Sequence, residues 1–130
     1  MSSIGVLQSV YHGDKVSYLK ESVESILNES QFLFEYCIVI DGPVGKEISK
    51  YLSSLQQLKF MRIHYLESNV GLAQALNYGL KKMSCDLILR MDSDDIAVPG
   101  RIETSLKIFQ GKKVDVLGFS KLTFCGSIEH

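Results

Sequence analysis

Short apolar, β-rich runs alternate along this chain with segments of helical period, and that alternation restricts the folds open to it. The runs are Ile4–Val10, Tyr36–Ile40, Met61–Leu66, Leu87–Met91 and Val114–Leu117. Three are short and almost continuously apolar, the pattern of strands buried on both faces. Between them, Leu19, Val23, Ile26 and Leu27 form one helical stripe, and Ile48, Tyr51, Leu52 and Leu55 form another. A third comprises Leu72, Leu76, Leu80 and Met83, with Asn69 as its expected N-cap. A fourth starts at Pro99, carries Ile102, Leu106 and Phe109, and is expected to stop at Gly111. The order β-α-β-α-β-α-β-α-β predicts an α/β fold: a mainly parallel sheet, right-handed crossovers and helices on both faces.

Composition narrows the class. The 130 residues fit a single domain, 1–130, with no linker or repeat. A domain of this size buries roughly two thirds of its unfolded surface. Fourteen Lys and Arg against fifteen Asp and Glu leave a net charge of −1, which excludes an electrostatic footprint for nucleic acid. Cys37, Cys85 and Cys125 are widely spaced without a CxxC pair, and read as free thiols of a reducing compartment. No run approaches the roughly 20 apolar residues of a membrane span, and the N-terminus lacks the pattern of a signal peptide. A soluble, cytoplasmic chain is expected.

In parallel sheets of this kind, ligands bind beyond the carboxyl ends of the strands. After the fourth run stands Arg90-Met91-Asp92-Ser93-Asp94-Asp95-Ile96. Three carboxylates within four residues repel one another unless a cation or a donor network compensates. Mg²⁺ and Mn²⁺ take oxygen ligands, commonly one or two carboxylates with substrate phosphates. The alternative is a solvated acidic turn capping the next helix. After the second run, Asp41-Gly42-Pro43 offers a carboxylate to an N–H donor such as uracil N3, where cytosine presents an acceptor; an Asx-turn is the alternative. After the first run, Tyr11 is placed to stack on a base and Ser9 to donate to it. His12 reads as a polar loop residue, and Asp14 as the cap of the first helix rather than a ligand contact. Ser68-Asn69-Val70-Gly71 opens the third helix, where backbone N–H groups can face an anion. Lys81, Lys82, Lys112 and Lys113 read as solvated helix ends.

Taken in order, these motifs resemble the N-terminal part of a family 2 glycosyltransferase with the GT-A fold, of the bacterial surface-polysaccharide type. The resemblance runs from about Ile4 to Gly118. It rests on Ser9-Val10-Tyr11, Tyr18-Leu19-Lys20-Glu21-Ser22 with Ser25-Ile26-Leu27, Ile40-Asp41-Gly42-Pro43, Asn69-Val70-Gly71-Leu72-Ala73 with Ala75-Leu76-Asn77, and Arg90 to Ile96 with Pro99 and Arg101. It implies a Rossmann-like nucleotide-diphospho-sugar fold. Ser9, Tyr11 and Asp41 match positions that hold uracil, and Asn69 falls within a nucleotide-side motif. Asp92 matches a position near the ribose and diphosphate, and Asp94 the last acidic residue of the DxD motif. Asp94 and Asp92 are thus the implied ligands of Mn²⁺ or Mg²⁺. The implied reaction transfers sugar from a UDP-sugar donor to a saccharide or lipid-linked saccharide acceptor, usually with inversion.

The chain departs from the family pattern in three places. Ser9-Val10-Tyr11-His12 replaces the common Pro-x-Tyr-Asn, and a single Asp41 stands where two Asp commonly precede Gly. Family members also continue past this chain's end, so the acceptor half and its general base are expected beyond His130. Neither Glu103 nor Glu129 is expected to replace that base. The resulting picture is a donor-binding domain, truncated on its C-terminal side, peripheral to the inner membrane face and prone to self-associate through the edge after Val114–Leu117. A non-catalytic nucleotide-sugar-binding module acting with a partner chain is the alternative. An aspartyl phosphotransferase would carry its DxD on the first strand, and a dinucleotide-binding domain a GxGxxG after it; both are absent.

Overall fold

A computed structural model describes residues 2–111. Its elements run β1 (Ile4–Val10), α1 (Val16–Leu27), β2 (Leu33–Ile40), α2 (Lys46–Leu55), β3 (Met61–Tyr65), α3 (Leu72–Lys82), β4 (Leu87–Met91) and α4 (Arg101–Gly111). The four strands form one sheet of order β3-β2-β1-β4, and every pairing is parallel. The α/β architecture expected from the alternation is therefore present. The expected fifth strand, Val114–Leu117, lies outside the described residues, as do Lys112, Lys113, Cys125 and Glu129.

Period-two alternation sorts the strand residues onto two faces. Ile4, Val6 and Val10 join Tyr36, Ile38, Ile40, Leu89 and Met91 on one face. There they pack against Leu19, Val23 and Ile26 of α1, Ile48, Leu52 and Leu55 of α2, and Ile102 of α4. Leu7, Cys37 and Val39 occupy the other face, under Ala75 of α3. Helices thus cover both faces, and the stripes predicted for the first two helices are the buried ones.

The third stripe is right only in part. Leu72 and Leu80, expected in the core, are 53% and 44% exposed; the buried residues of α3 are Ala75 and Gly79, with Leu76 and Met83 partly buried. The physical reason is close approach. A Cβ built on Gly79 would lie 2.5 Å from Leu7 Cδ1 and 2.9 Å from Val39 Cγ2. The helix lies so near the sheet that only its small residues fit beneath it.

Two helix starts also differ. The residue before α3 is Gly71, at φ 95° and with no side-chain cap, so Asn69 is not the N-cap. The last helix begins at Arg101 rather than Pro99, because Gly100, at φ 90°, is in a left-handed conformation that cannot belong to a right-handed helix. The first helix follows Lys15 without a side-chain cap. Asp14 instead accepts from the Tyr11 N–H at 3.0 Å.

Cys37 and Cys85 are free thiols. Burial first, and the neighbouring Glu35 carboxylate second, push Cys37 up to about 11 and Cys85 up to about 12. No helix among the described residues is long and apolar enough to cross a membrane.

The geometry of α3 yields a discriminating prediction. Gly79→Leu should destabilise by about 1–3 kcal/mol or more through overpacking. Leu80→Ala should stay within about 0.5 kcal/mol, as at other exposed sites. Urea denaturation of the two variants measures both; a larger loss for Leu80→Ala would restore the leucine stripe as the packed face.

Candidate functional site

In the order β3-β2-β1-β4 the chain runs outward from β1 through β2 to β3 and then crosses back to β4 on the other side of β1, which puts the topological switch between β1 and β4. Beyond the carboxyl ends of these strands lies a cleft of about 420 Å³. It is lined by Ser9, Tyr11, His12 and Asp14 after or at the end of β1, Asp41 after β2, Asn69, Gly71 and Leu72 at the start of α3, and Asp92 and Ser93 after β4. Ser9, Tyr11, Asp41, Asn69 and Asp92, drawn from four separate stretches of sequence, thus meet in one place. Asp94 is exposed and is not among the lining residues.

The loop after β1 is a tight turn. Asp14 N donates to Tyr11 O at 3.1 Å while Asp14 Oδ2 accepts from Tyr11 N. This presents the Tyr11 ring, 44% exposed and edge-on to His12 at 5.3 Å, at the lip of the cleft.

Asp41 is only 3% exposed. Its Oδ1 accepts from Val70 N at 2.7 Å and its Oδ2 from Gly71 N at 3.1 Å, while Asn69 Nδ2 donates to the Asp41 carbonyl at 3.2 Å. A carboxylate has about four acceptor positions, so each oxygen has capacity beyond these two bonds. Two glycines make this seam possible. Gly42, at φ 88°, brings its backbone so close to the next loop that a Cβ would stand 2.7 Å from Asn69 N. Gly71 adopts φ 95°, which a side chain would strain.

The acidic turn after β4 is organised differently from the expected crowd of repelling carboxylates. Asp92 Oδ1 pairs with Arg90 at 2.8 Å, both side chains about half exposed. Asp95 Oδ2 accepts from Asp92 N at 3.3 Å, and Asp95 N donates to Asp92 O at 3.1 Å, so Asp95 closes the turn on itself. Burial lowers the pKa of Arg101, and the Asp95 carboxylate opposes that shift. Among the described residues no three Asp, Glu, His or Cys side chains converge as a self-contained metal cage. Asp92 on the cleft wall and Asp94 beside it remain as two hard oxygen donors. That donor set fits Mg²⁺ or Mn²⁺ when phosphates and water complete the shell.

Sequence reading missed the residues that hold this turn. Along α1 and just past it, Ser22, Ser25 and Glu29 are buried polar side chains. Ser22 Oγ lies 3.4 Å from Asp92 O, and Ser25 Oγ accepts from Ala97 N at 2.9 Å. Glu29 accepts from Ile102 N and Glu103 N at 3.2 Å, at the positive end of α4. Gln8, also fully buried, adds a further bond to the same turn. Its signal was a polar residue inside an otherwise apolar central strand. Glu103 itself is exposed and pairs with Lys107, as expected of a solvated residue.

Comparison with known proteins bears on the family and the fold. Residues 9–127 match the family model described as glycosyl transferase family 2. The amylovoran biosynthesis glycosyltransferase AmsE of Erwinia amylovora is 33% identical over 112 residues, 86% of this chain and 42% of that protein. The UDP-Gal:alpha-D-GlcNAc-diphosphoundecaprenol beta-1,3-galactosyltransferase of Escherichia coli is 36% identical over 111 residues, 85% of this chain and 40% of that protein. The O-antigen biosynthesis glycosyltransferase WbnJ of E. coli is 34% identical over 120 residues, 91% of this chain and 46% of that protein. The chain therefore spans less than half the length of these relatives. The crystal structure of S. aureus TarS 1-349 superposes with a TM-score of 0.73 at 19% identity, covering 92% of this chain and 38% of that one, and shares its GT-A type fold. This chain belongs to glycosyl transferase family 2.

Proposed function

We propose that this member of the family forms, over residues 1–130, the donor-binding part of a glycosyltransferase that holds a UDP-sugar with a divalent cation. The observation that carries the reading is the convergence of Ser9, Tyr11, Asp41, Asn69 and Asp92 on one cleft at the sheet's switch point. The names of the relatives support a role in polysaccharide synthesis, with a saccharide or lipid-linked saccharide as acceptor. In this reading the acceptor site and the general base belong to the length of the relatives outside the matched span. Transfer with inversion is part of the same proposal.

The chain's own residues divide the work. Tyr11 offers an exposed aromatic face to the base at the lip of the cleft. Asp41 accepts the N3–H of uracil with an acceptor position left over from its bonds to Val70 and Gly71. Ser9 donates to the base, and Asn69, tied to the Asp41 carbonyl, keeps the opposite wall in place. Asp92 and Asp94 would hold Mn²⁺ or Mg²⁺, which, when bound, neutralises the diphosphate and stabilises it as a leaving group. Without such an ion the diphosphate would meet these carboxylates as like charges, at roughly 1–4 kcal/mol per close pair.

Calorimetry tests the metal role. UDP is expected to bind with Mn²⁺ and to lose most of its affinity in chelator, and Asp94→Ala should abolish most of the metal-dependent gain. Equal affinity with and without chelator would remove the cation from the proposal.

Base preference tests Asp41 separately. UDP should bind about 10-fold or more tighter than CDP, because the charge-assisted bond to N3–H contributes roughly 1.5–3 kcal/mol. Asp41→Ala also frees Val70 and Gly71, so both nucleotides should weaken. The ratio between them is the decisive quantity, and it should fall towards one. A ratio unchanged in the variant would show that the base is read by other groups.

A further inference from the structure

Gln8 lies in the middle of the central strand, fully buried, and is not itself among the residues that line the cleft. Both polar atoms of its side chain are nevertheless engaged. Nε2 donates to Ser22 Oγ at 2.8 Å and to the backbone carbonyl of Asp92 at 3.0 Å, while Oε1 accepts from Tyr36 Oη at 2.5 Å. The carboxamide thus links three secondary-structure elements to the residue that opens the acidic turn. The Asp92 carbonyl receives Gln8, Ser22 and the Asp95 N–H together. Tyr36 is the hydrogen-bond donor to Gln8, and burial drives its pKa far above the usual tyrosine value, so it keeps its proton at any working pH. With the oxygen end of the amide fixed by that hydroxyl, the NH₂ end can only face Ser22 and Asp92. An apolar residue at position 8 would suit a doubly buried strand better, since a buried amide is costly unless every partner is present.

We infer that Gln8, oriented by Tyr36 and Ser22, is a positioning residue that fixes the Asp92–Asp95 turn against the sheet, and so sets the place of the diphosphate end of the donor; the ligand half of this inference rests on the function proposed above. The base end is served by Tyr11 and Asp41, which have no bond to this network, so the two ends of the cleft should respond differently to its loss.

Gln8→Met conserves volume and removes all three bonds; Tyr36→Phe removes only the group that orients the amide. Both are to be compared with the parent chain for uridine binding, for UDP binding with Mn²⁺, and for hydrogen exchange of the Asp95 amide without ligand. In Gln8→Met, UDP with Mn²⁺ should weaken about 10–100-fold, the usual range for lost outer-shell partners. Uridine should stay within about twofold, and the Asp95 amide should exchange faster. Tyr36→Phe should show the same pattern to a smaller degree, and it carries the test alone if Gln8→Met fails to fold by circular dichroism. Parent-like UDP affinity together with parent-like Asp95 exchange in a folded variant overturns the inference. So does an equal proportional loss of uridine and UDP, which marks a general structural role. If the parent binds neither ligand, the donor-site reading falls, while Asp95 exchange still decides whether Gln8 positions the turn.

Discussion

Three buried carboxylates, each accepting from two successive backbone N–H groups of a segment remote in sequence, tie this fold together, Asp41 at the cleft and Glu35 at the opposite end of the sheet. Asp41 takes the amides of Val70 and Gly71, Glu35 those of Ser84 and Cys85, and Glu29 those of Ile102 and Glu103. All three side chains belong to residues that are nearly inaccessible. Burying an ionised carboxylate is unfavourable unless its oxygens are satisfied, whereas hydrogen bonds to a charged group contribute about 1.5–3 kcal/mol each. The balance therefore depends on both amides being present, so each loop is held in one conformation. The segments so fixed are the loops that lead into α3 and β4 and the first turn of α4. The first of them, the loop before α3, forms a wall of the cleft.

The location of the cleft follows from the sheet. With β1 between β2 and β4, the connection after β1 runs to β2 while β4 is reached by the return crossover from β3, and the cleft opens beyond the carboxyl ends at this switch. Alternation along the strands continues into those loops. Leu7 and Val39 belong to the face covered by α3, and Ser9 shares the face of Leu7 by its spacing of two. Gly79 lets α3 press close against this face, while Gly71 ends the helix on the side of the cleft. Site and packing thus share one cause: a helix brought near to the sheet by its small residues, and stopped where the strand ends begin to diverge.

This also explains what the sequence disclosed and what it hid. Strand positions, the first two helical stripes and the strand-end placement of Ser9, Tyr11, Asp41 and Asp92 were legible because they are local patterns of period 2 or 3.6. The stripe on α3 misled because leucine marks hydrophobicity, whereas the contact was decided by how near the backbones come. Asn69 and Asp14 look like helix caps at their spacings, yet each bonds elsewhere, one to the Asp41 carbonyl and one to the Tyr11 amide. The roles of Gln8, Glu29 and Glu35 depend on partners 14 to 84 residues away, and no local pattern carries that information.

The acidic turn separates a fixed frame from an exchangeable charge. Its backbone is held at Asp92 from both sides, by Gln8 and Asp95 at the carbonyl and by Asp95 at the amide. Its side chains are freer: the Arg90–Asp92 pair is about half exposed, and pairs of that kind contribute only about 0–1 kcal/mol. Exchanging Arg90 for another positive partner at Asp92 therefore costs little, whereas moving the Asp92 backbone would break a buried network. The proposed donor site, which would accept and release a charged ligand, benefits from this division. In the proposed role the ligand competes with a weak ion pair, while the geometry it meets is set by bonds that are at least partly buried.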